Sequence, residues 1–140
     1  MLKIPKDLVD EMVAHARAED PNECCGILAG RDGRASVAYR ITNVARSPFR
    51  YLMDPQEFLR ADMDAEARGL RLVAFYHSHT HSPAYPSPTD VRMAQESGWT
   101  GDSICYLLVS LEDKERPVLR AFRIDDDGRV TEVELETEGD

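Results

Sequence analysis

The sequence predicts a single α/β domain, a mixed β-sheet flanked by helices. Three observations carry that prediction. The 140 residues suffice for one proper core and fall short of two ordinary domains. Helical periodicity occurs in three separate stretches, with short apolar runs between and after them. Turn signals, Asp32-Gly33 and Asp126-Asp127-Gly128, join neighbouring runs as hairpins. Helices interspersed with mostly hairpin-linked strands pack as a sandwich on a mixed sheet.

Leu8, Met12 and Ala16 recur at a spacing of four, and Val9 and Val13 widen the stripe, which predicts a helix over 6–20. Pro5 is placed to start it and Pro21 to stop it. His15 on this helix is expected at the surface. A short buried strand follows at 24–29, and 36–44 pairs back on it. Residues 46–53 read as irregular, with Pro48 inside and exposed Phe49, Tyr51 and Leu52. Asp54-Pro55-Gln56-Glu57 opens a second helix with an N-cap aspartate, a proline in the first turn and a reciprocal glutamate. Gly69 ends it.

The apolar strand 70–76 delivers His77 and His79 at its C-terminal end. Pro83, Pro86 and Pro88 stiffen the loop that follows, and a third helix runs from Ser87 to about Ser97. Trp99 reads as a packing residue. Strands are predicted at 103–111, 118–124 and 129–135. The domain is set at 1–135, and 136–140 is an acidic C-terminal tail outside it.

The net charge is −9, which argues against nucleic acid as a partner, because phosphate binding needs a basic surface. No apolar run approaches the ~20 residues of a membrane span. The N-terminus lacks a signal-peptide hydrophobic region, so a cytoplasmic protein is expected. The three cysteines are an odd count and two are adjacent, which disfavours a disulfide framework. Cys24 and Cys25 should point to opposite faces of their strand as small buried residues, and Cys105 should be core.

The chemistry concentrates in His77-Ser78-His79-Thr80-His81-Ser82-Pro83-Ala84-Tyr85-Pro86-Ser87-Pro88-Thr89-Asp90, an H-x-H-x7-S-x2-D pattern. Period two on a strand puts His77 and His79 on one face. Two imidazoles and a carboxylate are the ligand set of a catalytic zinc site with a fourth position open for water. Ser87 and Asp90 also form a capping box, and a rigid first turn can aim the Asp90 carboxylate at a metal. The Ser87 hydroxyl would then lie beside the open position. His81 falls beyond the strand in a loop and reads as an exposed residue lining the cleft. Glu23 reads on its own as a charge at a strand start, since spacing alone does not bring it to His77.

Glu23, His77-Ser78-His79, Ser87 and Asp90 together resemble the JAMM motif of the JAB1/MPN/Mov34 metalloprotease family, with no position missing. Asn22-Glu23-Cys24-Cys25-Gly26-Ile27-Leu28-Ala29-Gly30 resembles its glutamate-bearing strand. Tyr51-Leu52-Met53-Asp54-Pro55 resembles the segment before the second helix of small prokaryotic members. The likeness spans all but the acidic tail. Segments 12–17, 43–48, 76–80, 84–87 and 106–110 are similar to bacterial peptidases that free cysteine from ubiquitin-like sulfur carriers. Cys24 departs from the expected alanine or other small residue, and His81 lies outside the general motif.

The resemblance implies a cytidine-deaminase-like JAB1/MPN fold and one zinc ion held by His77, His79 and Asp90. It makes Glu23 the general base and Ser87 the oxyanion helper. The implied reaction is hydrolysis of the amide bond after the C-terminal Gly-Gly of a small β-grasp sulfur carrier protein, releasing cysteine or a short extension. The carrier's tail could add as a strand to a sheet edge. The 46–53 loop could meet the carrier's body, and the family leaves room for a homodimer. One alternative is an isopeptidase that removes ubiquitin-like modifiers from lysine side chains. Another is a silent scaffold of the same fold, which the complete ligand set disfavours. A metallo-hydrolase of the H-x-H-x-D-H type is disfavoured because His81 stands where that pattern needs aspartate.

Overall fold

The computed structural model describes residues 1–139, and Asp140, the last residue of the acidic tail, lies outside them. The elements in chain order are β1 (Leu2–Pro5), α1 (Lys6–Glu19), β2 (Cys25–Arg31), β3 (Arg34–Ile41), α2 (Pro55–Ala67) and β4 (Arg71–His79). They continue with α3 (Pro88–Ser97), β5 (Cys105–Ser110), β6 (Val118–Ile124), β7 (Val130–Val133) and β8 (Leu135–Glu138). The strands form one sheet in the order β7-β6-β5-β4-β2-β3-β1-β8. It is mixed: β4 pairs β5 in parallel, while β2 pairs both β3 and β4 antiparallel. The α/β sandwich predicted from the sequence is therefore present, with helices on both faces.

The two faces follow from alternation along the central strands. Met12 and Ala16 of α1 pack on Cys24, Leu28, Tyr76 and Leu107. Ala61 and Ala65 of α2 and Ala94 of α3 pack on Cys25, Ile27, Phe75 and Tyr106. Cys24 and Cys25 thus point to opposite sides, both fully buried, while Cys105 is only half-buried. Burying each large side chain of these layers contributes about 1.5–3 kcal/mol.

Sequence and structure part in several places. The sheet has two strands that the pattern does not reveal, β1 and β8, and they pair with each other in parallel. β8 takes up most of the acidic segment set outside the domain, because Leu135 and its neighbours complete the backbone ladder of β1 and Glu138 accepts from Arg34. At the start of α2, the Asp54 carboxylate caps Gln56 N at 2.9 Å and Glu57 N at 3.1 Å. Glu57 does not close the box: its carboxylate accepts from Thr42 N and Oγ1, both at 2.8 Å.

His15 is buried rather than at the surface, because the core offers it a polar partner. Its Nδ1 lies 2.7 Å from the Tyr76 hydroxyl. Gly26, opposite Tyr76 on β2, leaves the room that the Tyr76 ring occupies. Burial and the charge of Arg40 push the His15 imidazole below its ordinary pKa, which keeps it neutral. Among the described residues no helix is long and apolar enough to cross a membrane.

Candidate metal centre

Strand register builds the site. Cys25 of β2 stands opposite His77 of β4. One step on, Cys24 N donates to Ser78 Oγ at 2.8 Å and Ser78 N donates to Cys24 O at 3.2 Å. Ser78 therefore faces away from the histidines, as its place in the alternation requires. One further step brings Glu23 alongside His79, on the same face as His77. Glu23 lies just before β2, where the chain leaves the ladder.

The loop after β4 returns along that face and opens α3. Ser87 caps the helix: its Oγ accepts from Asp90 N at 3.0 Å, and Ser87 N donates to Asp90 Oδ2 at 2.9 Å. This box is complete, and it fixes where Asp90 points. Asp90 Oδ2 lies 3.1 Å from His77 Nε2 and 3.0 Å from His79 Nε2. One ligand atom from each of the three residues falls within 4.8 Å of the others, and all three residues are buried.

The hydrogen bonds around the cluster specify its donor atoms. His79 Nδ1 lies 2.9 Å from Pro83 O, so it must be the protonated nitrogen. That leaves Nε2 with a lone pair facing the Asp90 carboxylate. Two acceptors in contact require a proton or a cation between them. The Pro83 carbonyl is itself held, since Ser110 Oγ donates to the adjacent Ser82 O at 2.6 Å. This outer bond to a ligating imidazole is a recurrent feature of metal sites. A tetrahedral zinc ion with ~2.0–2.1 Å bonds needs donor atoms ~3.3 Å apart, close to the spacings here. The residues present therefore fit a metal ion held by His77, His79 and Asp90.

In the absence of an ion the same contacts pair the groups electrostatically. Burial alone would raise the Asp90 carboxyl, but the two imidazoles and the Ser87 amide outweigh it and hold Asp90 well below the usual carboxylate range. Burial would lower His79, but its bonds to Asp90 and Pro83 win and raise it. Glu23 is 3% exposed. Burial pushes its carboxyl up to about 8, with the Asp90 charge adding to the rise and His79 opposing it. Its Oε1 has no partner among the described residues. A buried, unpartnered carboxyl beside a metal-ligand cluster can exchange a proton with a water held there. Burial also pushes the Cys24 thiol up to about 12, which removes it as a nucleophile.

Ser87 is half-buried, and its oxygen already accepts the capping bond, so its proton remains free to donate. His81 is exposed and stands outside the three-residue cluster. Trp99 packs edge-on against Phe75 at 5.2 Å between ring centroids. The sequence reading missed Tyr51. Expected on an exposed loop, it is buried and stacks on His77 with centroids 4.4 Å apart and planes at 28°. The nearest signal was its place in the aromatic-bearing segment just before the Asp54 cap.

Comparison with known proteins places this geometry. Residues 5–125 match the family described as prokaryotic homologs of the JAB domain. The chain is 45% identical over 134 residues to the CysO-cysteine peptidase of Mycobacterium tuberculosis, spanning 94% of this chain and 88% of the relative. It is 42% identical over 96 residues to a probable TtuB-protein conjugate cleaving protease of Thermus thermophilus, spanning 68% of this chain and 64% of the relative. Among solved structures, protein DSY2949 of Desulfitobacterium hafniense superposes with a TM-score of 0.87 at 38% identity, covering 100% of this chain and 94% of that one.

Proposed function

The chain belongs to the prokaryotic JAB-domain family, and on that premise we propose that it is a zinc-dependent peptidase acting on a ubiquitin-like sulfur carrier. It hydrolyses the amide bond after the carrier's C-terminal Gly-Gly and releases cysteine or a short C-terminal extension. The observation that carries this reading is the buried Glu23 carboxyl, unpartnered at Oε1, beside the His77–His79–Asp90 cluster. The name of the Mycobacterium relative supports the leaving group.

His77, His79 and Asp90 would hold the metal, and two imidazole nitrogens with one carboxylate oxygen are a donor set that suits zinc. Bound zinc supplies Lewis acidity and makes water acidic enough to ionise near neutral pH. Glu23 accepts the proton of the attacking water and passes it to the leaving amine. The Ser87 hydroxyl donates to the oxygen that becomes negative at the tetrahedral stage, a contact typically worth about 3–4 kcal/mol. Pro83 O keeps His79 in the tautomer whose Nε2 faces the cluster. Tyr51 covers one face of the His77 ring and excludes water from it.

The two outermost strands of the sheet stand away from the site. β7 and β8 lie three and four strands from β4 in the sheet order, whereas the site sits at the end of β4. The glycines of the carrier's tail would let its backbone approach the site closely.

A second reading, cleavage of lysine-linked conjugates, is favoured by the name of the Thermus relative. A competition separates the two. One carrier is prepared with cysteine after Gly-Gly and also joined through Gly-Gly to a lysine side chain. Both forms are offered together to the zinc-loaded protein. Faster release of cysteine supports the first reading. Release of the lysine partner alone replaces it with the second.

A further inference from the structure

Asn43 follows β3 and is 6% exposed. Its side chain uses its whole hydrogen-bonding capacity. Nδ2 donates to Glu23 O at 3.0 Å and to Arg50 O at 3.1 Å. Oδ1 accepts from Ala45 N at 3.0 Å and from Leu52 N at 2.9 Å. Two carbonyls on one end and two amides on the other admit only this orientation of the amide. The segment it ties together is closed at its neck by an antiparallel bridge between Asn43 and Met53. That segment reaches the metal centre twice. Ser47 O accepts from Glu23 N at 2.9 Å, and Tyr51 stacks on His77.

We propose that Asn43 is a positioning residue for Glu23, the hub through which the 43–53 segment sets the place of the carboxyl against the metal ligands. Glu23 lies beyond the last ladder pair of β2, so regular strand pairing does not fix its main chain. Asn43 on its carbonyl and Ser47 on its amide do so instead. The same four bonds hold Tyr51 over His77, so one side chain keeps the base and one ligand in register. Asn43 touches neither substrate nor metal in this scheme and acts only through Glu23 and the loop. The inference rests on the reading of Glu23 as the general base, and its test has one arm independent of that reading.

Asn43→Asp keeps the size and the Oδ1 acceptor, and replaces the donors with an oxygen facing two carbonyls. Misplacing a catalytic group by about 1 Å can cost ~100-fold. With a Gly-Gly-Cys carrier we expect kcat to fall roughly 100-fold, KM to stay within about threefold and zinc content to be unchanged. In a Glu23→Gln background the same change should cost no more than about twofold, because the group it positions is gone. The second arm is amide hydrogen exchange of the metal-free protein. Exchange at Glu23 N–H should speed up at least tenfold, while Ile27 and Leu28 in the centre of β2 stay protected. Unaltered protection at Glu23, or an equal loss of kcat in the two backgrounds, would overturn the proposal. If wild type cleaves no carrier offered, the carrier-peptidase reading fails and the exchange arm alone decides whether Asn43 holds Glu23. Should Asn43→Asp not fold, Asn43→Ser carries the same expectations without the added charge.

Discussion

Glu23→Gln in the metal-free protein should remove a pH dependence that the buried carboxyl creates. Glu23 is 3% exposed, and burial, reinforced by Asp90, raises its carboxyl from 4.5 to about 8. A group whose folded pKa lies above its unfolded value binds more protons in the native state across the interval between them. Its contribution to stability is then fully present below the unfolded pKa and is lost as pH rises through the folded one. At 1.36 kcal/mol per unit, this shift makes the metal-free protein roughly 5 kcal/mol less stable above pH 8 than a carboxyl held neutral would. Glutamine is such a neutral isostere. Urea unfolding of chelator-treated protein from pH 5 to pH 9 gives the test. Wild type should lose stability through the interval, and the gap to Glu23→Gln should widen with pH. Parallel curves would refute the burial argument. On the proposed mechanism the same shift gives the neighbours a role: without a cation Glu23 keeps its proton at neutral pH, and a positive charge held by His77, His79 and Asp90 would lower it again.

Other consequences concern the ligands and the core. Asp90→Ala should lose metal, seen as zinc per chain after gel filtration, and should lose about 1 kcal/mol as well, because Asp90 closes the capping box of α3. His81→Ala should keep its full zinc content, and a loss there would make His81 a ligand. Gly26→Ala would drive a Cβ into the Tyr76 ring, which His15 holds in place. It should cost about 1–3 kcal/mol in urea unfolding, and an unchanged midpoint would contradict the close packing.

Much of the fold was legible because local pattern and tertiary role coincide. The stripe of Leu8, Met12 and Ala16 is the buried face of α1, and the alternation Phe75, His77, His79 is the site face of β4. Asp90 was legible for a further reason, since the capping box that aims it is written in four consecutive residues. Glu23 was not, because its approach depends on the β2–β4 register, a pairing across more than fifty positions of chain that no local pattern encodes. His15 and Tyr51 were misplaced for a related reason. Each is a polar or amphipathic residue whose burial depends on one distant partner, Tyr76 or His77. β1 and β8 escaped because each is four residues long. One ends in a proline and the other lies in an acidic run, and it is pairing with distant strands, β1 with β3 and β8 and β8 with β1, that makes them strands.

One intact-mass measurement tests the proposed mechanism most directly. A sulfur carrier bearing a cysteine after Gly-Gly is incubated with zinc-loaded wild type, with metal-stripped wild type and with zinc-loaded Glu23→Gln. Rapid loss of one cysteine with zinc-loaded wild type, none with metal-stripped protein and only a slow residual loss with Glu23→Gln is the predicted result. Equal loss with Glu23→Gln, its zinc confirmed bound, would contradict the assignment of Glu23 as the base on which the mechanism turns.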